Sequence, residues 1–248
     1  MLSARPSRLF DKLFSLYNRH YLLRRHFHGL MCLGEPEAPG GGPVLYMMNH
    51  CSWWDGLVLY DATRHFSPEW QYVMMDGAQL RKYAFFRRFG AFGIDRSSGI
   101  SIARALRYTA GLLHEGKSVW MFPQGAIRHQ EERPLRLQDG IGYVLRQCPH
   151  AVVRPVTVYY SLCARQKPDV SLWFGERVRA DWPQLEREQA AALLEKVMER
   201  QLDEHRRLVV QAGELGLAGV EAANGERFVP LLSAGRSTSE AFDRWRGR

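Results

Sequence analysis

Short apolar runs and amphipathic segments alternate along the chain. Five short runs of apolar, β-branched and aromatic residues predict buried strands at residues 44–48, 71–75, 118–122, 152–160 and 170–174. Apolar residues at helical spacing predict helices at residues 53–64, 100–114, 137–146 and 182–214, with a basic, aromatic helix or loop at 80–89. Because alternating strands and helices are typical of α/β proteins, we predict a single α/β domain with a mixed or largely parallel sheet flanked by helices.

Glycine and proline residues mark the expected limits of this domain. They dominate residues 34–43, which we predict as a linker, whereas residues from 216 onward are poorly patterned. The predicted organisation is an amphipathic, membrane-facing helical segment at 1–33, the α/β domain at 43–215 and a tail at 216–248. Pro155 lies inside the run 152–160 and suits an edge strand or a bulge, because proline cannot donate to a central ladder.

The N-terminal segment combines apolar residues at helical spacing with many basic ones. The apolar residues are Phe10, Leu13, Phe14, Tyr17 and Tyr21, and the basic ones are Arg5, Arg8, Lys12, Arg19, Arg24 and Arg25. Such a segment can lie in a membrane interface, where apolar burial and attraction to anionic headgroups add together. It can also pack on the core of its own domain, and the periodicity leaves both interpretations open.

Composition narrows the classes of protein to consider. Of the 248 residues, 46% are hydrophobic and 24% are charged, as in globular proteins. The net charge of +8 favours partners such as anionic lipid, phosphorylated ligands or nucleic acid.

The four cysteines have no C-x-x-C or zinc spacing, which indicates free thiols in a reducing compartment. No apolar run is long enough to span a bilayer, and the N-terminus is charged where a signal peptide is apolar. We therefore expect a cytoplasmic protein, peripherally associated with the inner face of the membrane.

Residues 49–55 read Asn-His-Cys-Ser-Trp-Trp-Asp and carry the first candidate chemistry. His50 follows a predicted strand, and Asp55 lies where the next helix is expected to begin. An Asp that accepts from one imidazole nitrogen fixes the tautomer, so the other nitrogen can take a proton from an alcohol. Alone, this short motif is also explained by a histidine that is hydrogen-bonded in a turn.

Two other interpretations of nearby residues have less support. Cys51 and His50 could form a nucleophile pair, but adjacent residues rarely aim their side chains at each other. His26 and His28 could bind a metal, but no carboxylate stands at a useful spacing, so no metal site is expected.

Three further segments complete an ordered set of four blocks. Residues 89–96 read Phe-Gly-Ala-Phe-Gly-Ile-Asp-Arg, 119–125 read Val-Trp-Met-Phe-Pro-Gln-Gly, and 153–156 read Val-Arg-Pro-Val. In this order the blocks resemble those of the glycerolipid acyltransferase family, which includes the lysophosphatidate acyltransferases. The resemblance spans about residues 44–160 and is far more specific than any single block.

This resemblance implies a reaction and a set of site residues. It implies an O-acyltransferase of lipid metabolism, which moves a fatty acyl group from acyl-CoA or acyl carrier protein to a lipid hydroxyl without a cofactor or metal. The family's catalytic pair maps onto His50 as general base and Asp55, which orients it. The substrate-binding positions map onto Arg96, for an acceptor phosphate, and onto Phe122, Pro123, Gln124, Gly125, Arg128 and Pro155.

The third block departs from the family's Phe-Pro-Glu-Gly-Thr-Arg. Gln124 replaces Glu, Ala126 replaces Thr, and Ile127 stands where Arg is expected, with Arg128 one place later. A carboxylate has become an amide, which donates as well as accepts. We therefore consider two kinds of acceptor, a lysophospholipid or glycerolipid if the change is neutral, and a phosphate-free lipid alcohol such as a carotenoid glycoside if it is not.

Basic and aromatic residues interleave just before the second block, namely Arg81, Lys82, Tyr83, Phe85, Phe86, Arg87 and Arg88. We interpret them as a contact for the phosphates of coenzyme A, for an acidic carrier protein or for an anionic membrane, or as a solvated face. Nucleic acid is not expected as a partner, because no recognisable binding module accompanies the charge. The alternative function is a catalytically inactive lipid-binding or peripheral membrane protein of the same fold.

Overall fold

Eight strands form one mixed sheet within the part of the chain described by the computed structural model, residues 2–36, 42–67, 69–163, 165–213 and 216–232. The strands are β1 (Gly29–Leu33), β2 (Val44–Met48), β3 (Gln71–Asp76), β4 (Ala91–Ile94), β5 (Ser118–Met121), β6 (Val152–Ser161), β7 (Asp169–Phe174) and β8 (Val229–Leu232). Their order across the sheet is β4-β3-β5-β2-β6-β7-β1-β8. The prediction of an α/β domain with a mixed sheet is confirmed.

Five neighbouring strands run parallel and end at the same side of the sheet. β4, β3, β5, β2 and β6 pair in parallel, whereas β7 is antiparallel to β6 and β8 is antiparallel to β1. We call the side at which the five parallel strands end the carboxyl edge. Residues that follow β2, β4 and β5 meet there although they are far apart in sequence.

Helices cover both faces of the sheet. They are α1 (Arg8–Tyr17), which continues through a π-helical segment Asn18–Leu23 into α2 (Arg24–His26), then α3 (Asp55–Phe66), α4 (Gly77–Lys82), α5 (Gly99–His114), α6 (Gly140–Gln147) and α7 (Arg187–Ala212), with a 3-10 helix at Ala84–Phe89. The last three α-helices pack on one face, and α3 with the N-terminal helices packs on the other. The predicted strands and helices are therefore present with shifted ends, and the last predicted helix breaks after Gln184.

Burial on both faces explains the unbroken apolar run of β2. Leu45 and Met47 face the core beneath α5, α6 and α7, whereas Tyr46 and Met48 face the core beneath α3. All four side chains are almost completely buried. A parallel strand in such a position lacks the polar alternation of a half-exposed strand.

Two strands lie outside the predicted domain limits. Gly29–Leu33 is a strand paired with β7 and β8, and not the end of the predicted helical segment. Val229–Leu232 forms β8, although it belongs to the predicted tail. Both contribute buried residues to the cores, so the sheet extends beyond residues 43–215 on each side. The predicted linker is described only at 34–36 and 42–43, and the predicted tail only as far as Leu232.

The prediction that Pro155 lies in an edge strand or a bulge is wrong. Its strand, β6, lies inside the sheet between β2 and β7. The β6–β7 pairing begins one residue later, at Val156, so the ladder does not need an N–H from Pro155. The Pro155 carbonyl accepts from the Gly175 N–H at 2.9 Å, and the Gly175 carbonyl accepts from Arg154 Nε at 2.6 Å. Pro230, in β8 at the sheet's edge, has the position that proline was expected to take.

The N-terminal helix packs on the domain with one side and leaves another side exposed. Phe14 of α1 stacks on Phe89, with ring centroids 4.4 Å apart. Polar contacts fix the same side, since Asp11 pairs with Arg64 at 2.9 Å and accepts from the Tyr60 hydroxyl at 2.8 Å. The exposed side carries Leu9, Leu13, Leu16 and Tyr17. Within the described residues, no helix has the length and apolar character needed to cross a membrane.

Candidate active site

His50 lies at the carboxyl edge, where β2 has ended and α3 has not yet begun. It is the second residue after Met48, and α3 starts at Asp55. The chain between them folds back, with the Asp55 N–H 3.3 Å from the Ser52 carbonyl. This turn brings the two predicted catalytic residues together although they are five positions apart.

The Asp55 carboxylate holds the His50 ring through a direct contact. His50 Nδ1 lies 2.7 Å from Asp55 Oδ2, and the same oxygen accepts from the backbone N–H groups of Cys51 at 2.8 Å and Ser52 at 2.9 Å. The Asp55 side chain has no exposed surface, whereas that of His50 is 24% exposed. The contact at Nδ1 leaves His50 Nε2 as the nitrogen that can accept a proton.

Tyr160, at the far end of β6, completes the surroundings of the Asp55 carboxylate. Its hydroxyl donates to Asp55 Oδ1 at 2.7 Å. Burial and the nearby carboxylate raise the pKa of Tyr160, which keeps this hydroxyl protonated as a donor. Tyr160 was not among the predicted site residues, and its only signal in the sequence is its place at the end of the predicted strand 152–160.

The third block wraps around the peptide groups of His50. Gln124 Oε1 accepts from the His50 N–H at 2.7 Å, and the His50 carbonyl accepts from the Arg128 N–H at 2.9 Å. The ring of Phe122 lies 4.5 Å from the His50 ring, centroid to centroid. Gln124 is only 6% exposed, and its contact in this structure positions His50, while its substrate contact stays a prediction.

The rest of the third-block turn is held by its own backbone. Pro123 is buried, and its carbonyl accepts from the Gln138 N–H at 2.8 Å. Gly125 has a φ of 70°, in the left-handed region that favours glycine. These contacts fix the loop that carries Gln124 and Phe122 against His50.

The two predicted arginines reach the same edge, and each faces a carboxylate. Arg96 donates to the Gly125 carbonyl, which joins the second block to the third, and its Nε lies 3.7 Å from Asp76 Oδ2. Arg128 Nη1 lies 3.6 Å from Glu132 Oε1. The Arg96 side chain is 52% exposed, so it remains accessible to a ligand that displaces its partners.

Pro155 is not at the carboxyl edge. It is buried within the sheet and pairs with Met47, three residues before His50. The fourth block reaches the site through its later residues, beginning with Val158, whose N–H and carbonyl are both bonded to the Asn49 side chain at 2.8 and 3.0 Å. Pro155 therefore has a structural place in the strand, and its substrate contact stays a prediction.

Two side-chain amides prolong the sheet at this edge, and neither was singled out from the sequence. Asn49 binds both backbone groups of Val158. Gln130 does the same for Tyr160, accepting from its N–H at 3.0 Å and donating to its carbonyl at 2.9 Å. The amides thereby hold β6 in place beyond the end of β2, where Tyr160 meets Asp55.

The thiol of Cys51 faces Asp55 and not the His50 ring. Cys51 Sγ lies 3.9 Å from Asp55 Oδ1, and burial with the nearby carboxylate raises the pKa of the thiol well above its ordinary value. A thiol held protonated is a poor nucleophile, which disfavours a Cys–His pair. Elsewhere, His26 packs on Trp54 and His28 bonds Asp169 at 2.8 Å.

Comparison with solved structures shows a shared fold. The chain is similar to the 1-acyl-sn-glycerophosphate (LPA) acyltransferase PlsC from Thermotoga maritima, at 18% identity and a TM-score of 0.53. The similarity covers 79% of this chain and 94% of that chain. A search of curated proteins found no match.

A family comparison covers all four blocks. The sequence model described as acyltransferase matches residues 26–159, which is more than half of the 248 residues. The matched range contains His50, Asp55, Arg96 and the third block. The chain therefore belongs to the acyltransferase family, in agreement with the resemblance of its four blocks.

Proposed function

We propose that this enzyme transfers a fatty acyl group from a thioester to the hydroxyl of a lipid, with His50 as general base and Asp55 as its orienting partner. The observation that carries the proposal is the 2.7 Å contact between His50 Nδ1 and the fully buried Asp55. The partly exposed His50 ring is accessible to an acceptor at the carboxyl edge.

The proposed reaction moves one proton through His50. The acceptor oxygen attacks the thioester carbonyl carbon while His50 Nε2 takes the hydroxyl proton, and Asp55 stabilises the imidazolium that forms. The tetrahedral intermediate then expels the thiolate, which takes the proton from His50 and leaves as a thiol. No covalent acyl-enzyme is needed. The donor in this proposal is acyl-CoA or acyl carrier protein, and no metal takes part.

The acceptor is proposed from the charges around His50. The related fold of a 1-acyl-glycerophosphate acyltransferase makes lysophosphatidate the first acceptor to test. Asp76 beside Arg96 and Glu132 beside Arg128 partly neutralise the two guanidinium groups that a phosphate would need. Ile127 is 52% exposed, where the family has a further arginine. These features favour a phosphate-free lipid alcohol over a lysophospholipid.

Peripheral attachment to the inner face of the membrane is proposed from the exposed side of α1. Leu9, Leu13, Leu16 and Tyr17 are spaced as one helical stripe and are between 49% and 73% exposed. Basic residues flank the stripe, as in helices that lie in the interface of anionic membranes.

Substituting His50→Ala tests the chemistry. Because general base catalysis typically contributes about 10²–10⁴-fold, we expect the rate of thiol release from acyl-CoA with a lipid extract to fall by that amount. His114→Ala, an exposed histidine at the end of α5, is the matched control, with circular dichroism to verify folding. Near-normal turnover by a folded His50→Ala variant would refute the assignment. Absence of thiol release by the unsubstituted protein with every acceptor would favour the inactive lipid-binding alternative.

The identity of the acceptor is tested by competition between two lipid classes. With acyl-CoA as donor, we expect a glycosylated or otherwise phosphate-free lipid alcohol to be acylated faster than lysophosphatidate, measured by product mass spectrometry. Arg96→Gln should then lower the rate with lysophosphatidate more than the rate with the phosphate-free acceptor, since loss of the Gly125 contact affects both and only the phosphate loses a charge-assisted bond. Full activity with lysophosphatidate, lost in Arg96→Gln, would reverse this preference.

A further inference from the structure

A basic cleft lies between the N-terminal segment and the 3-10 helix Ala84–Phe89, away from His50. Its volume is about 320 Å³, and its lining is formed by Arg5, Phe10, Ala84, Phe85, Arg87 and Arg88. Three guanidinium groups therefore share one opening with two aromatic rings. We call this site the arginine cleft.

Backbone contacts build the arginine cleft and fix its two walls to each other. The Arg5 N–H donates to the Arg87 carbonyl at 2.8 Å, and the Ser7 N–H donates to the Arg88 carbonyl at 3.0 Å. Arg87 Nε donates to the Ser3 carbonyl at 2.8 Å. The three arginines are thus held close together by the fold, and do not merely meet at a flexible surface.

Within the described residues, none of these three arginines forms an ion pair with a carboxylate. Clustered like charges without counter-charge repel one another, which an anion in the cleft would relieve. Guanidinium groups present planar forks of donors that match phosphate oxygens. The chemistry of the cleft therefore fits a phosphate group.

The surroundings of the cleft identify which phosphate it fits. Phe10 lines the cleft and also borders the exposed stripe of α1 that contains Leu9 and Leu13. Phe85, on the other wall, is itself exposed. A phosphate with apolar chains attached would place its charge on the arginines and its chains along these side chains, as a membrane phospholipid does.

Arg87 and Arg88 lie at the end of the cleft that is remote from the candidate active site. Arg87 and Arg88 lead into Gly90, which packs against Gln71 at the start of β3. Gln71 and Val44 both pair with Ser118, so Gln71 lies beside the start of β2 across the sheet. Val44, the first residue of β2, comes six residues before His50. At a strand rise of about 3.3 Å per residue, the level of Arg88 is roughly 20 Å along the sheet from His50. Phe85, at the other end of the cleft, contacts Tyr83, whose ring lies 6.4 Å from that of Trp53. A phosphate in the cleft is therefore not the phosphate of an acceptor held at His50.

We propose that the arginine cleft binds the phosphate of an anionic phospholipid headgroup and so orients the enzyme on an anionic membrane. The proposal depends on the proposed membrane association but not on the identity of the acceptor. The occupant is a structural lipid of the membrane, held while a different lipid reacts at His50.

The test compares two double variants that remove the same charge. Arg5→Gln with Arg88→Gln empties the cleft of two guanidinium groups, whereas Arg104→Gln with Arg107→Gln removes two exposed ones from α5. Binding is measured by sedimentation with phosphatidylcholine vesicles that contain or lack phosphatidylglycerol. We expect about a fivefold loss of affinity for each cleft arginine, so roughly 25-fold for the pair on anionic vesicles, and little loss for the α5 pair.

Two further arms separate the sources of phosphate. Inorganic phosphate should displace the unsubstituted protein from anionic vesicles more than chloride does at matched ionic strength, and should lose this advantage in the cleft pair, because it competes for the same guanidinium groups. The KM for acyl-CoA should be the same in both double variants. Equal losses in the two pairs would overturn the proposal in favour of diffuse attraction. A raised KM for acyl-CoA only in the cleft pair would assign the cleft to the donor. Tight binding of inorganic phosphate without vesicles, lost in the cleft pair while vesicle binding is unchanged, would assign it to the free anion. Absence of binding to either vesicle by the unsubstituted protein would refute membrane association itself. His50→Ala, which alters only the proposed chemistry, should bind vesicles as the unsubstituted protein does.

Discussion

The surroundings of Asp55 show how one residue organises the candidate site. Its two carboxylate oxygens accept from the His50 ring, from the Cys51 and Ser52 N–H groups and from the Tyr160 hydroxyl. Donors from a turn and from a neighbouring strand therefore converge on a carboxylate that has no contact with solvent. The position of the His50 ring depends on each of them.

Tyr160→Phe should impair the reaction through Asp55 without touching the substrate. A hydrogen bond to a charged group contributes about 1.5–3 kcal/mol, so we expect kcat/KM to fall roughly 10- to 100-fold. With one donor fewer, Asp55 attracts the proton shared with His50 more strongly, and the acid limb of the pH profile should move to higher pH. Tyr159→Phe is the matched control, because the Tyr159 hydroxyl donates to Glu131 instead. An unchanged pH profile in Tyr160→Phe would mean that Tyr160 has only a structural role.

The sequence was sufficient for some of these residues and insufficient for others. His50 and Asp55 were predicted because a family block keeps them together within one turn. Gln124 and Tyr160 reach the same turn from β5 and β6, and their contacts depend on a strand order that the sequence does not specify. The change from Glu to Gln in the third block shows what the sequence alone leaves open. The contact with His50 tolerates this change, because an amide oxygen can accept from the His50 N–H as a carboxylate would.

At the level of elements, strands with strong patterns were predicted well and weakly patterned ones were missed. The five apolar residues of β2 gave its bounds directly, because both faces of that strand are buried. β1 falls within the predicted helical segment at 1–33, although the apolar residues at helical spacing in that segment end at Tyr21. β8 is four residues long and contains Pro230, which argues against a strand unless its edge position is known.

A buried polar cluster joins α7 to β6 and β7 and makes stability depend on pH. His205 of α7 lies completely buried between the hydroxyls of Thr157 and Ser171, at 2.9 and 2.8 Å. Burial lowers the pKa of His205 to about 3, from an ordinary value of 6.5. Between these values the unfolded chain binds the proton and the folded chain does not, so stability is lost as the pH falls from about 6.5 towards 3.

His205→Gln should remove this dependence. The free energy of unfolding of the unsubstituted protein should decrease by up to about 1.4 kcal/mol per pH unit through this single proton, measured by urea denaturation between about pH 6 and 4. The variant is expected to start less stable but to lose less stability over the same range. His150→Gln, an exposed histidine, should keep the original slope. Equal slopes in all three proteins would show that His205 is not the titrating group.

At the scale of the whole molecule, the two faces of the sheet differ in what they expose. The face covered by α3 and the N-terminal helices carries the apolar stripe of α1, while the other is covered by the charged helix α7. Leu9→Ser with Leu13→Ser should therefore weaken binding to vesicles at least tenfold, because burial of a leucine contributes about 1.5–3 kcal/mol. The unfolding transition should change little, since both side chains are exposed.

Val210→Ser provides the control for this prediction. Val210 is 65% exposed on α7, so its substitution removes a comparable apolar group from the opposite face. We expect it to leave vesicle binding unchanged. If it weakens binding as much as the α1 substitutions do, the protein has no preferred membrane-facing side.

The position of β1 between β7 and β8 has a consequence for synthesis of the chain. Among the described strands, β1 is made first, whereas its two neighbours, β7 and β8, are made last. The parallel strands that carry the candidate site can pair while both edges of β1 are still open. Open apolar edges are sites of aggregation. The nascent chain thus needs protection of β1 until β7 and β8 have been made, and a pause in translation between β1 and β8 should lower the yield of folded protein.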